Sequence, residues 1–225
     1  MKTIAVIPAR GGSKRLPNKN ILMLGDLPLI AHSILYAKAN NHLIDAIYVT
    51  TDDAAIKKIA LSYNVNVIDR PAAISGDFEP TVSAVKHVLE SIVEEVKTVV
   101  LLQPTNPLRP KTLLESCFKV YNEKKCDSLF TVSQNEHKLG SIQKDVFKPF
   151  NYKPGQRSQD LEPLYFENGL LYIVKSKSVL KDDIITTNAF PYKMNHLFEN
   201  IDIDTQADFD YAQYVLNKTS NSEKI

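Results

Sequence analysis

Glycine is scarce in this sequence. Seven glycines stand in 225 residues, under half the share of about 7% usual in soluble proteins. Two of the seven are adjacent, Gly11 and Gly12, as expected of a chain that keeps glycine for places where the backbone needs its freedom. Cysteine is scarcer still: Cys117 and Cys126 have no cysteine or histidine partners at zinc spacing. That excludes a disulfide framework and a structural zinc site, and it points to a reducing, cytoplasmic setting. Neither sign of charge is in excess, since 27 Lys and Arg face 26 Asp and Glu. The strong positive field that non-specific nucleic-acid binding requires is therefore missing, and no nucleic-acid partner is expected. Long apolar runs are missing too. The run from Thr3 to Ile7 is cut off by Pro8 and Arg10, too early for a signal-peptide core or a membrane span, so it reads as a buried first strand.

The rest of the composition, 44% hydrophobic and 24% charged, is that of an ordinary globular chain. The length fits one main domain, set at residues 1–218 with a flexible tail at 219–225. Short β-branched runs at 3–8, 46–51, 65–68, 99–103, 128–132, 169–175 and 201–204 alternate with helical periodicities at 28–39, 53–63, 81–96, 111–123 and 205–216. This alternation predicts an α/β fold, a mostly parallel sheet flanked by helices. The polar, proline-bearing stretch 133–168 breaks the rhythm and reads as an excursion of short strands and loops.

Two segments carry chemistry. The loop after the first strand, residues 9–20, holds Arg10, Lys14, Arg15 and Lys19 around Gly11, Gly12 and Ser13. Open α/β sheets bind ligands at the carboxyl ends of their strands, where such a loop cradles a polyphosphate. It is neither a Walker A loop nor a G-x-G-x-x-G turn, and a solvated basic turn fits the same residues. Asp202 and Asp204, two apart in a predicted strand, project to one face about 6 to 7 Å apart. Paired carboxylates at that spacing suit Mg²⁺, which fills its remaining positions with water and phosphate oxygens; a simple cap on the following helix is the other reading. The five histidines show no ligand or triad spacing.

The segments 9–14 with Lys19 and Asn20, 102–109, 157–161, Asn168-Gly169 and 201–205, in this order, resemble the acylneuraminate cytidylyltransferases, the CMP-sialic acid synthetase family. The resemblance runs from Ile4 to about Leu216. It implies a Rossmann-like, nucleotide-diphospho-sugar transferase-like domain that transfers CMP from CTP to a nine-carbon ulosonic acid and releases pyrophosphate. It places Arg10 and Lys19 on the triphosphate, with Ser13 and Lys14 in the same loop, and Asn20, Arg70 and Thr81 around the cytidine. Gln103, Thr105, Arg157, Gln159 and Asn168 fall to the sugar, and Asp202 and Asp204 to magnesium. It also implies a homodimer whose 133–168 excursion completes the neighbour's sugar pocket. The same reaction on a legionaminic, pseudaminic, deaminated sialic or eight-carbon ulosonic acid is the alternative; a non-catalytic nucleotide-binding module is the rival of another class.

Overall fold

The first strand, β1 (Lys2–Pro8), has Ile4, Ala5, Val6 and Ile7 all fully buried, as expected of a strand covered on both faces. In this computed structural model, which describes residues 2–222 apart from the side chains of 220–222, the chain continues through a small hairpin, β2 (Met23–Leu24) and β3 (Leu27–Pro28). There follow α1 (Leu29–Ala39), β4 (Ala46–Thr51), α2 (Ala54–Ser62), β5 (Asn66–Asp69), α3 (Thr81–Ser91), β6 (Val96–Leu101), α4 (Leu113–Lys124) and β7 (Ser128–Asn135). A second hairpin, β8 (Gly140–Gln143) with β9 (Val146–Pro149), precedes β10 (Leu164–Lys175), α5 (Ser176–Val179), β11 (Ala189–Lys193) and α6 (Gln206–Ser222).

The seven-stranded sheet runs β11-β7-β10-β6-β1-β4-β5. β1 pairs in parallel with β4 (Ile4 opposite Ala46) and with β6 (Ile4 opposite Val99), whereas β10 is antiparallel to both β6 and β7. The α/β expectation therefore holds, with one strand reversed. From β1 the chain lays strands first toward β5 and then, from β6, on the other side. The switch point lies between β1 and β6, and the loops leaving their carboxyl ends flank the crevice where such sheets bind ligands.

Alternation along the strands divides the core. Ala5, Ile7, Val100 and Leu171 face α1, α2 and α4 through Ile34, Ala60 and Leu114; Ile4, Val6, Val99 and Val174 face α3 and α5 through Val85, Val88 and Val179. A third cluster joins Leu16, Leu24, Leu108, Ile201, Ile203, Ala212 and Val215. It clamps the first loop to the segment 201–204 and to α6, and so brings residues nearly 190 positions apart in the chain to one place.

Several local expectations change. Residues 201–204 form no strand and pair with none among the described residues; they are held instead by Ile203 N–H on the Thr105 carbonyl (2.8 Å) and by the Asn106 amide on the Ile201 carbonyl (2.9 Å). The helical stripe read through residue 96 stops at Ser91, because Val96 already pairs with Lys2 in the sheet, and Val93 is fully exposed. Inside the excursion β7 and β10 remain paired from Leu164 opposite Asn135, so the excursion is the sheet itself prolonged, with the β8/β9 hairpin at its tip. Part of the expected tail, 219–222, is helical within α6, and 223–225 lie outside the described residues. Among the described residues no helix is long and apolar enough to cross a membrane.

Candidate active site

A cleft of about 250 Å³ opens at the switch point. It is lined by Arg10, Ser13, Lys19, Asn20, Arg70 and Thr81, together with Gln103 and Thr105 from the loop after β6. Six of the seven residues assigned to the nucleotide from sequence thus meet there, and Lys14 stands at the rim with most of its side chain in solvent. Backbone ties shape the first loop: Ala9 N–H donates to the Thr50 carbonyl (3.0 Å) and the Asn20 amide to the Arg10 carbonyl (2.9 Å). Gly11 has a different duty from the phosphate approach expected of it. Its N–H donates to Asp52 Oδ1 (3.0 Å), and a Cβ there would lie 2.7 Å from Asp53 Oδ2. The glycine lets the loop lie against the turn where Asp53 caps α2 through Ala55 and Ile56 N–H.

The cations are held firmly. Arg70 donates to the Thr50 carbonyl (2.6 Å) and Oγ1 (3.3 Å), and burial lowers its pKa to about 10. A buried guanidinium fixed on neutral oxygens keeps its attraction for an incoming anion. Lys19 is buried, its Nζ on the Ile203 carbonyl (2.8 Å) and on Asp204 Oδ1 (2.9 Å). Arg15 takes the other Asp204 oxygen at 2.7 Å.

Asp77 was not expected. It projects from the segment after β5, with one carboxylate oxygen 2.7 Å from Arg10 and the other 2.5 Å from Lys14. Hydrogen bonds from Lys14 and then Arg10 hold its carboxyl below the usual range. An anion already bridges two of the loop cations where a phosphate is expected, and no spacing in the sequence ties residue 77 to residues 10 and 14.

The aspartate pair sits at the same mouth, at the end of the segment held by Thr105 and Asn106. Asp202 is exposed, yet the protein packed near it, then the charge of Asp204, pushes its carboxyl up, against a hydrogen bond from Thr105 and the charge of Lys19. A carboxylate destabilised by its neighbour is a place where a cation is favourable. Among the described residues no three or more His, Cys, Asp and Glu side chains gather as a metal cage. Two carboxylates with open positions is nonetheless a donor set that fits magnesium, which takes water and phosphate for the rest. At Asp204 the ion would share oxygens that now face Lys19 and Arg15.

On the sugar side the sequence assignments divide. Gln103 and Thr105 line the cleft. Asn168 does not face it: the side chain is buried, its amide NH₂ on Ser133 Oγ (2.9 Å) and its oxygen accepting from Thr131 Oγ1 (2.6 Å) and Leu170 N–H (3.2 Å). Its duty within this chain is to fix the kink of β10. Arg157 and Gln159 lie on the excursion, outside the cleft lining, with Arg157 exposed and forked onto Asp160 at 2.8 and 2.9 Å. Sequence reasoning also passed over Arg109, a buried guanidinium that donates to the Leu170 carbonyl, Ser33 Oγ and the Gln103 carbonyl. It locks the Gln103 backbone, and only its place in the 102–109 segment signalled it.

The cytidylyltransferase family profile matches residues 4–225. The chain is 33% identical to an N-acylneuraminate cytidylyltransferase of Streptococcus agalactiae, over 93% of this chain and 52% of that one. It is 32% identical to a pseudaminic acid cytidylyltransferase of Campylobacter jejuni, over 98% and 99% of the two chains. It is 31% identical to a CMP-N,N'-diacetyllegionaminic acid synthase of Legionella pneumophila, over 93% and 94%. The chain thus spans about half the length of the streptococcal relative and nearly all of the other two. Among solved structures, a CMP:2-keto-3-deoxy-manno-octonic acid synthetase complexed with CTP superposes with a TM-score of 0.71 at 16% identity, covering 97% of this chain and 100% of that one. A 4-diphosphocytidyl-2C-methyl-D-erythritol synthase reaches the same TM-score of 0.71 at 11% identity, over 96% and 98%. These two speak for the fold.

Proposed function

The chain belongs to the cytidylyltransferase family, and we propose that it transfers CMP from CTP to a nine-carbon ulosonic acid, releasing pyrophosphate. The observation that carries this reading is the cleft at the switch point, where Arg10, Lys19 and Arg70 converge opposite Gln103, Thr105 and the Asp202/Asp204 pair. In the reaction the anomeric hydroxyl oxygen of the sugar bonds to the α-phosphorus of CTP as the bond from that phosphorus to the bridging oxygen breaks. The hydroxyl proton is lost, and pyrophosphate leaves with the electron pair.

Such a transfer asks for in-line positioning and for neutralisation of charge on phosphate oxygens. Arg10 and Lys19, with Ser13 and Lys14, hold the triphosphate; Asn20, Arg70 and Thr81 border the cytidine; Gln103 and Thr105 meet the sugar. Asp202 and Asp204 would hold magnesium, which would supply positive charge to the phosphates. Lys19 sits rigidly next to that pair, so its ammonium is placed before substrate arrives and little reorganisation accompanies reaction. Arg157 and Gln159, remote from their own cleft, serve that of a second copy in a homodimer, and Asn168 supports the sugar side from within. A cytoplasmic setting accords with two buried, free cysteines.

The relatives are close to equal in identity across sialic, pseudaminic and legionaminic acid enzymes, so these sugars, with the deaminated and eight-carbon acids, form the substrate panel. A non-catalytic binding module has no use for the Asp pair. Replacing it with Asp202→Asn and Asp204→Asn together is expected to lower kcat by about 100-fold or more, the scale of lost transition-state charge stabilisation, with the fold intact by circular dichroism. Full activity of that variant would remove the metal role.

A further inference from the structure

Two clefts lie side by side along the carboxyl edge of the sheet. The nucleotide cleft opens between the segments that follow β1, β5 and β6; a larger one, about 1,090 Å³, opens over the ends of β7, β10 and β11 and is lined by Gln134, Tyr165, Phe166, Lys193 and Glu199 among others. One small chain of polar groups lies between them. The pairing of β10 with β7 loses register between Glu167 and Tyr172, where Gly169 takes φ +74°. That kink returns Glu167 over the next turn of its own strand, and the Tyr172 hydroxyl donates to Glu167 Oε2 at 3.3 Å.

Tyr172 is a rigid post. It is 7% exposed, its ring is stacked on Phe130 with centroids 6.5 Å apart, and its hydroxyl lies near the side chain of Gln103, which lines the nucleotide cleft. Glu167 itself is exposed. A carboxylate offers about four acceptor positions, of which Tyr172 engages one oxygen, so most of its accepting capacity stays free, next in the chain to Tyr165 and Phe166 of the larger cleft. The Glu167 carboxylate repels a substrate carboxylate there, and neutral donors are favoured.

We propose that Glu167 is a specificity-determining residue that accepts a hydrogen bond from a hydroxyl or acylamino N–H of the ulosonic acid, with Tyr172 holding its carboxylate in place. This rests on the transfer reaction proposed above. It turns the sugar so that its neutral, substituted end meets β10. Sites that hydrogen-bond a substrate donor discriminate strongly against an analogue lacking it.

Steady-state kinetics on the full chain test this, with CTP and whichever ulosonic acid of the panel is turned over. Loss of a hydrogen bond to a charged acceptor predicts about a tenfold or greater rise in the sugar KM for Glu167→Ala, with the CTP KM within about twofold. Glu167→Gln, which keeps an acceptor oxygen, is expected to recover part of the loss, and Tyr172→Phe to show a smaller rise of the same kind. An unchanged sugar KM in Glu167→Ala overturns the proposal, as does an equal rise in both KM values, which marks a merely structural group. A wild-type protein that turns over no ulosonic acid overturns the underlying reaction instead, and is recognised by the missing pyrophosphate before any variant is compared.

Discussion

At the scale of single residues, the basic loop and the aspartate pair were legible because each announces itself within a few positions: four cations in ten residues, two carboxylates two apart. Asp77 was not, because its meaning arises only when the segment after β5 crosses the cleft to Arg10 and Lys14. Its carboxylate competes with phosphate for the same two cations. Asp77→Asn is therefore expected to tighten CTP binding by about two- to fivefold, the scale of an exposed ion pair, with the gain shrinking in high salt. Isothermal titration calorimetry reads this directly, and weaker binding in the variant would make Asp77 a support of the loop instead of a rival of the ligand. Asn168, an amide beside glycine, looks available in sequence, whereas here Thr131, Ser133 and Leu170 use both ends of it.

At the scale of elements, strands buried on both faces were easy to read. β1 and β6 each carry a buried apolar run, Ile4 to Ile7 and Val99 to Leu101, and the pattern that makes them apolar is the packing of helices on either side. Residues 201–204 alternate like a strand because Ile201 and Ile203 enter the third core cluster, yet no neighbouring strand is present to pair with them. Alternation reports burial, not hydrogen-bonded partners. What replaces the ladder is Asn106, which holds both the Asn168 and Ile201 carbonyls at 2.8 and 2.9 Å. Gly169 makes room for that amide: at φ +74°, an added Cβ would meet Asn106 Oδ1 at 2.5 Å. Gly169→Ala is expected to cost about 2 kcal/mol or more through the left-handed backbone and the clash, and to lower Tm by about 4 to 8 °C. Thermal unfolding followed by circular dichroism checks it; an unchanged Tm would show that the kink of β10 relaxes freely.

At the scale of the whole molecule, the order of the motifs along the chain carried the fold and the family, since five separated segments have to meet at one edge of one sheet. The proposed dimer belongs to this scale. Arg157 and Gln159 do not line the cleft, and Ile142, Val146, Phe147 and Phe150 on and beside the β8/β9 hairpin are at least half exposed, an apolar surface of the kind that marks an interface. Sedimentation at micromolar protein is expected to give a dimer, and a fully active monomer would contradict it. The transfer reaction itself is tested most directly by ³¹P NMR of the wild-type protein with CTP, Mg²⁺ and the panel of ulosonic acids. The predicted result is loss of the CTP signals with equimolar growth of one phosphodiester resonance and of pyrophosphate, dependent on one of the sugars and absent with UTP or GTP. CTP that binds but stays intact with every sugar, or that is hydrolysed to CMP without a phosphodiester product, would contradict it.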